Sequence, residues 1–291
     1  MAEQPKEIRK RIKSVVSTKK ITKTMELVST SKMKRAQDRV QAAAPYTAKL
    51  EEIISAIAAG GASLALPLLE KREQVKNVLV LLLTANRGLC GGFNANLVRL
   101  AKLTVAEQKQ LGRNVRLEVV GKKGNATMRF QGYQIERAVM DVSDRPSFED
   151  ARRIIQPIVE LFLKKEVDEV LVVYPHWKSL ASQPPTLKKL LPIEPPASEG
   201  ASKAQTDIIF SPGAKEILED LLPRYVTQTM YTLLAMNSAG EQVARRTAMK
   251  SATDNASEMI THLTRTLNRA RQALITQEIA EIVGGAAALK K

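Results

Sequence analysis

Apolar and small residues recur at helical spacing through the first fifth of the chain, which contains no glycine before residue 60. The repeating positions fall into three groups: Ile8, Ile12 and Val15; Ile21, Met25 and Val28; Met33, Ala36, Val40 and Ala43. The spacing is three or four residues within each group but slips between groups, so we expect a coiled-coil seam with interruptions. We predict one helix over residues 6–58, roughly 75 Å long, in which Pro45 is the place for a kink.

The centre of the chain alternates strand-length apolar runs with amphipathic stretches. Strands are predicted at residues 75–83, 115–120 and 170–174, and helices at 95–111, 122–131 and 148–165. Continuous apolar strands separated by helices are typical of parallel sheets, so this region is predicted to be a Rossmann-like α/β domain. The proline-rich residues 176–212 indicate an edge hairpin and a mobile loop near 197–205.

A second long helical pattern occupies residues 213–283. Pro223 is expected to bend its start, Gly240 to weaken it, and Gly284 with Gly285 to end it. One face carries Ala235, Ala239, Ala244, Ala248, Ala252 and Ala256, and continues through Met259, Leu263, Leu267, Ala270 and Leu274. Because small side chains let another helix approach closely, we predict an antiparallel coiled coil of helices 1–60 and 212–291, with the α/β domain at 61–211.

The formal net charge of +15 and the pI near 9.9 are typical of proteins that bind nucleic acid. More than half of the excess lies in residues 1–40, which hold 12 Lys and Arg against 4 Asp and Glu. Residues 1–45 contain no aromatic side chain that could stack on a base. This basic helix therefore fits a solvated face, a nucleic-acid site or a surface for an acidic protein.

Short motifs in the α/β domain allow a structural or a chemical interpretation. The turn NRGLCGGFN at 86–94 fits a βα turn or an anion site, but it lacks the spacing of a dinucleotide or P-loop motif, and the same holds for GKKGN at 121–125. Cys90 is expected to be buried or packed in the turn, His176 and His262 to be ordinary surface or interface residues, and Asp141, Asp144, Glu149 and Asp150 to serve a loop and a helix cap. We predict no catalytic residue, no metal site and no cofactor.

The longest apolar run, residues 78–83, is too short to span a bilayer, and the N-terminus has no secretory signal.

Specific segments occur at both ends of the chain: ITKTMELVSTSKMKRAQ at 21–37, EQVARRTAMKSATDNASEMI at 241–260 and LNRARQALITQEIAEIVGGAAAL at 267–289. Together with NRGLCGGFN, and in this order, they resemble the γ subunit of F-type ATP synthases of the bacterial type. The resemblance covers nearly the whole chain.

The resemblance implies a central rotor shaft that does no bond chemistry itself. In the family, the coiled coil penetrates the hexamer of α and β subunits, and the α/β domain lies beside the ε subunit and the membrane ring of c subunits. Ion flow turns the c-ring and the shaft, which drives the catalytic β subunits through their conformational cycle during ATP synthesis or hydrolysis. One copy per complex is implied, at the cytoplasmic face of a bacterial cell membrane and attached to it only through the complex, with no nucleic-acid partner.

By the same resemblance, six residues would contact other subunits: Met25, Arg245, Arg271, Gln272, Thr276 and Glu278. A shaft that slides past changing neighbours is also expected to have a polar, charged outer surface rather than an apolar patch. Ser211, in DIIFSP at 207–212, stands where many members carry an acidic residue, so the chain departs from the family there.

Two other classes of function are compatible with the residues. A coiled-coil nucleic-acid binder would bind DNA with a steep dependence on salt. An enzyme that uses the α/β domain would hold a nucleotide or a metal. The rotor interpretation instead predicts a stoichiometric complex with α and β subunits and stimulated ATP hydrolysis.

Overall fold

A computed structural model of the chain describes residues 4–59, 66–180, 182–194 and 213–289. The helices are α1 (Pro5–Ala59), α2 (Phe93–Gln110), α3 (Lys122–Phe130), α4 (Phe148–Leu163) and α5 (Ala214–Leu289). The strands are β1 (Asn77–Leu83), β2 (Asn114–Val120), β3 (Arg137–Val139), β4 (Glu169–Pro175) and β5 (Pro185–Leu191). The predicted loop at 197–205, Ser211 and the predicted domain boundaries after residues 60 and 211 lie outside the described residues.

Contacts group the chain into two compact units. The terminal unit consists of Met1–Ser29 and Arg245–Lys291, and the sheet unit consists of Thr30–Ala244. The predicted fold class, two long terminal helices with a mostly parallel α/β sheet between them in sequence, is confirmed.

The sheet unit contains five strands in the order β3-β2-β1-β4-β5. The first four strands are parallel, and β5 pairs antiparallel with β4 as the predicted edge strand. Sequence patterns missed β3, because its three residues are only half-buried and carry no apolar run. Because β1 is apolar along almost its whole length, it requires cover on both faces.

Helices supply that cover. The odd-numbered residues from Leu79 to Leu83 pack with α4, with α5 and with Leu50 and Ile54 of α1. The even-numbered residues from Val78 to Leu82 pack with α2 and with Met128 of α3. The result is a three-layer α/β/α arrangement with an aliphatic core on each side of the sheet.

Thr84, the residue after β1, joins three elements at the carboxyl end of the sheet. Its hydroxyl donates to the Val120 carbonyl at 2.9 Å and accepts the Gly124 N–H at 3.0 Å, while the Asn237 side-chain amide of α5 donates to its carbonyl at 3.2 Å. A Cβ at Gly121 would lie 2.4 Å from the Thr84 carbonyl oxygen, and one at Gly124 would lie 2.6 Å from its hydroxyl. Both glycines are therefore required for this junction.

Along α1, buried and half-buried residues recur every seven positions without a break. One series is Ile8, Val15, Thr22, Ser29, Ala36, Ala43 and Leu50, and the other is Ile12, Lys19, Glu26, Met33, Val40, Thr47 and Ile54. The predicted interruptions are therefore wrong. They arose because Ile21 and Val28 were placed in the seam, whereas the structure buries Thr22 and Ser29 and leaves Ile21 58% exposed.

Polar contacts accompany this repeat in each unit. In the terminal unit, the hydroxyls of Thr22 and Thr253 lie 2.8 Å apart. In the sheet unit, Thr47 contacts Thr232 at 3.3 Å, and the Tyr225 hydroxyl donates to Glu51 at 3.1 Å. In the sheet unit, residue numbers thus rise along α1 as they fall along α5, which is the predicted antiparallel pairing.

Helix α5 passes through every residue that was expected to interrupt it. Pro223, Gly240, Gly284 and Gly285 all lie within its 76 residues, so the prediction that the two late glycines end the helix is wrong. Gly240 has a packing role, since a Cβ there would come within 3.2 Å of Phe93 and 3.3 Å of Pro175. The small residue lets α5 lie directly against the start of α2 and the end of β4.

The Thr84 junction predicts a large difference between two glycine substitutions. Gly121→Ala forces a Cβ onto the Thr84 carbonyl at a backbone φ of 105°, and we expect a loss of about 3 kcal/mol or more in unfolding free energy. Gly112→Ala is the matched control, because its φ is also positive at 74° but no atom lies within 4 Å of the added carbon. It should cost about 1 kcal/mol. Urea unfolding of both variants checks this, and equal losses would contradict it.

The buried Tyr225 phenol makes stability depend on pH in the alkaline range. Burial, together with the charge of Glu51, raises the pKa of Tyr225 to about 12 from an ordinary value of 10.0. Between these values the unfolded chain loses the phenolic proton while the folded chain keeps it, so stability falls as pH rises. We expect Tyr225→Phe to remove this part of the decline. Ultraviolet titration should assign a phenol near 12 to Tyr225, and loss of a group titrating near 10 in the variant would refute the assignment.

Candidate interaction surface on the terminal helices

All six residues predicted to contact other subunits lie in the terminal unit. Met25 is half-buried on α1, one turn after Thr22, whose hydroxyl contacts Thr253 of α5. Arg245 is buried, with only 6% of its surface exposed. In this structure Arg245 is therefore enclosed by its own chain rather than offered to solvent.

The other four residues lie close together near the end of α5 and are all exposed: Arg271, Gln272, Thr276 and Glu278. At 100° per residue, Arg271 and Glu278 share one side of the helix, and Gln272 and Thr276 share another. The Thr276 hydroxyl donates to the Gln272 carbonyl at 2.9 Å, which is a local helix contact and leaves the Gln272 amide in solvent. The six residues therefore form one exposed group and two separate positions, Met25 and Arg245.

An exposed apolar surface surrounds that group. Leu274, Ile275, Ile279, Ile282 and Val283 are between 42% and 71% exposed. We name these five residues the apolar end of α5. The expectation of a purely polar outer surface is wrong here, and the run of aliphatic residues in ALITQEIAEIV was the available signal, since they occupy more than one side of a helix.

The core face of α5 stops before this region. Buried and half-buried residues alternate by four and three positions through Met249, Thr253, Ala256, Ile260, Leu263, Leu267 and Ala270. Leu263, Leu267 and Ala270 thus lie on the predicted face. Met259 and Leu274, predicted on the same face, are instead 53% and 42% exposed.

Exposed apolar residues also occur on α1. Ile21, Leu27 and Val28 are at least half exposed and flank the half-buried Met25. Since Thr22 and Ser29 occupy the buried positions, these larger side chains point away from the seam. Contiguous exposed apolar residues of this kind mark surfaces that other proteins cover.

The two glycine-rich motifs of the sheet unit hold each other in place. Lys122 N–H donates to the Asn86 side chain at 2.9 Å, Lys123 N–H to the Ala85 carbonyl at 3.1 Å, and Gly124 N–H to Thr84. The first-turn N–H groups of α3, which could otherwise bind a phosphate, thus already donate to residues of the loop that follows β1. This arrangement supports the structural interpretation of both motifs.

The remaining candidates also have structural roles. Cys90 is buried, and its sulfur accepts the Asn94 amide at 3.2 Å. Ser147 and Asp150 form a capping box at the start of α4. The Asp141 carboxylate accepts hydrogen bonds from Nη1 and Nη2 of Arg153. Hydrogen bonding from Arg153 lowers the pKa of Asp141. Within the described ranges, no group of three or more His, Cys, Asp or Glu residues could hold a metal ion.

Known proteins resemble this chain over nearly its whole length. The ATP synthase family profile matches residues 4–289. The ATP synthase gamma chain of Gemmatimonas aurantiaca is 46% identical over 285 residues, covering 98% of both chains, and that of Desulforamulus reducens is 43% identical over 98% of this chain. The chain belongs to the ATP synthase gamma chain family.

Solved structures share the fold at lower identity. A chain of the Euglena gracilis mitochondrial ATP synthase matches with a TM-score of 0.70 at 20% identity, over 98% of this chain and 94% of the other. A chain of the Tetrahymena thermophila central stalk and c-ring matches with a TM-score of 0.59 at 22% identity, over 80% of this chain and 99% of the other. In the part of this family member that the structure describes, no helix is both long enough and apolar enough to cross a bilayer.

The apolar end of α5 predicts a variant that changes surface properties without changing stability. Ile275→Gln with Ile279→Gln replaces two residues on one helix face that are 51% and 56% exposed. We expect the unfolding free energy to stay within about 0.5 kcal/mol and the binding of a hydrophobic fluorescent dye to fall. Ile8→Ala, at a fully buried position, should instead cost about 2–4 kcal/mol. A large stability loss in the double variant would contradict the described exposure.

Proposed function

We propose that this chain is the central rotary shaft of an F1Fo ATP synthase, which couples ion-driven rotation of a c-ring to the conformational cycle of catalytic β subunits. The shaft does no bond chemistry itself; its complex is the ion-translocating ATPase. Membership of the gamma chain family over nearly the full length supports the proposal. The apolar end of α5 is the structural observation that carries it.

The exposure of that surface requires a partner. Five aliphatic residues within ten positions are exposed on a helix whose preceding turns are paired in the terminal unit. Water disfavours such a surface, so it is stable in a protein chiefly when another chain covers it. We assign this cover to the α and β subunits of the hexamer, with Arg271, Gln272, Thr276 and Glu278 supplying the polar contacts beside it.

The helices have properties that suit transmission of torque. Helix α5 is continuous over 76 residues, and α1 has a buried or half-buried side chain at every third or fourth position from Ile8 to Ile54. In the terminal unit, the buried Thr22 and Thr253 hydroxyls form a hydrogen bond between the two helices, and sliding of either helix would break it. Met25 lies one turn after Thr22 on α1, and we assign it a contact with β.

The basic face of α1 fits a partner that changes during rotation. Arg9, Lys10, Lys13, Lys20 and Lys34 are exposed. Exposed charge contacts are weak and act over about 10 Å, so acidic loops of β could attract this face without fixing one rotational position. This assignment uses the charge for protein contacts and not for nucleic acid.

The remaining partners follow from the same assignment. One copy of the chain would contact the ε subunit and the c-ring through the sheet unit. The complex would lie at the cytoplasmic face of a bacterial cell membrane, with this chain a peripheral component. The gamma chains of Gemmatimonas and Desulforamulus, both bacterial, support the bacterial placement.

Reconstitution with α and β subunits tests the proposal. We expect one copy to co-elute with the hexamer and to stimulate ATP hydrolysis. Arg271→Ala with Gln272→Ala should retain co-elution but lower the stimulated rate roughly three- to tenfold, since one lost hydrogen bond at an exposed contact costs about 0.5–1.5 kcal/mol. Arg99→Ala with Lys109→Ala, at two exposed positions of α2, is the matched control and should stimulate ATP hydrolysis by the hexamer as the unmodified chain does. Failure of the unmodified chain to co-elute would refute the proposal.

A further inference from the structure

A cleft of about 620 Å³ opens at the carboxyl end of the sheet unit's parallel strands. Its walls come from the loops after β1, β2 and β3 and from one face of α1. Six cationic side chains line it: Lys32, Arg35, Arg39, Arg87, Lys122 and Arg145. Ligands of parallel α/β sheets commonly bind at this edge, in clefts of this size.

The two carboxylates in the cleft do not balance these charges. Asp141 accepts two hydrogen bonds, at 2.5 and 3.0 Å, from Arg153, which is not among the lining residues. Asp144 pairs with Lys32 at 2.5 Å. Each carboxylate is therefore already engaged, and only one of the six lining cations is shown in an ion pair.

Several of the lining guanidinium groups are available. Arg35, Arg87 and Arg145 have no ion-pair partner among the residues that the structure describes. Arg39 donates from Nη2 to the Asp144 carbonyl at 3.2 Å, while its Nε is buried without a hydrogen-bond partner in that part of the chain. A buried guanidinium N–H without an acceptor is costly, and an anion would supply one.

The wall that faces α1 is held in place. The Asp144 carbonyl also accepts the Ser238 hydroxyl at 2.7 Å, and Arg145 N–H donates to the Ser143 hydroxyl at 3.1 Å. On the opposite side, the Asn86 amide donates to the Val142 carbonyl at 2.6 Å. The cleft is thus formed before any ligand enters, which lowers the entropy cost of binding.

We propose that this cleft binds a small polyanion with adjacent phosphoryl groups, such as pyrophosphate or the polyphosphate chain of a nucleotide. Guanidinium groups form paired hydrogen bonds with phosphoryl oxygens, and four of the six lining cations are arginines. The binding would use side chains alone, because the first-turn amides of α3 are occupied. An acidic protein helix fits less well, since only Met140 and Val142 supply apolar side chains to the lining.

The cleft shares no residue with the six predicted subunit contacts. All its lining residues belong to the sheet unit, whereas the six predicted subunit contacts belong to the terminal unit. The proposal therefore does not depend on the rotor assignment and can be tested on the full chain alone.

Calorimetric titration of the full chain with pyrophosphate tests the site. We expect one saturable site with a dissociation constant below about 1 mM at low salt, and binding at least about tenfold weaker in Arg35→Gln with Arg87→Gln. Arg99→Gln with Lys109→Gln removes the same charge from exposed positions outside the cleft and should bind as the unmodified chain does. Circular dichroism checks the folding of both variants.

Further titrations distinguish the source of the phosphoryl groups. Binding of ATP that equals that of pyrophosphate, with none for adenosine, would show that the phosphate chain alone is recognised. Equal weakening in both double variants, or binding of sulfate as strong as that of pyrophosphate at matched ionic strength, would reduce the effect to net charge and overturn the proposal. Saturable binding of a polyglutamate peptide but not of pyrophosphate would also overturn it, in favour of a protein partner.

Discussion

The junction at Thr84 is the constraint on which the sheet unit depends. The Thr84 hydroxyl donates to the carbonyl at the end of β2 and accepts an N–H of α3. The Thr84 carbonyl accepts the Asn237 side-chain amide of α5. The backbone at Gly121 and Gly124 lies so close to Thr84 that the Cβ of any other residue at either position would clash with it. Because α5 also extends into the terminal unit, the same helix that is anchored here carries the exposed residues proposed to meet other subunits.

Much of the fold could be predicted because its signals are local. Continuous apolar runs identified β1, β2 and β4, and proline content identified the edge strand β5. The seam of α1 was harder, because periodicity analysis weights large apolar residues and the structure places the hydroxyls of Thr22 and Ser29 inside. Those polar residues are tolerated in the interior because small hydroxyls can bond to their own helix, as Thr22 does to the Lys19 carbonyl.

The candidate surface was predictable only in part. Resemblance located Arg271, Gln272, Thr276 and Glu278, which the structure leaves exposed, and it also named Arg245, which the structure buries. The apolar end of α5 was missed because an apolar helix face is ordinarily a core face, and the placement of its aliphatic residues on more than one side of the helix was the only sign of a surface that a partner covers. Gly240 was misleading for a different reason: it was expected to weaken α5, whereas its missing side chain allows close packing against Pro175.

The contact between Thr22 and Thr253 has a consequence for how the molecule is made. These residues are 231 positions apart, so during synthesis the first helix leaves the ribosome long before its partner exists. The part of the α1 seam that belongs to the terminal unit must remain unpaired, as an amphipathic helix with a basic face, until almost the whole chain has been translated. The sheet unit can form earlier, and its own pairing of α1 with α5 shortens the loop that the terminal helices still have to close. The N-terminal segment is therefore the first part synthesised and among the last to acquire its native contacts.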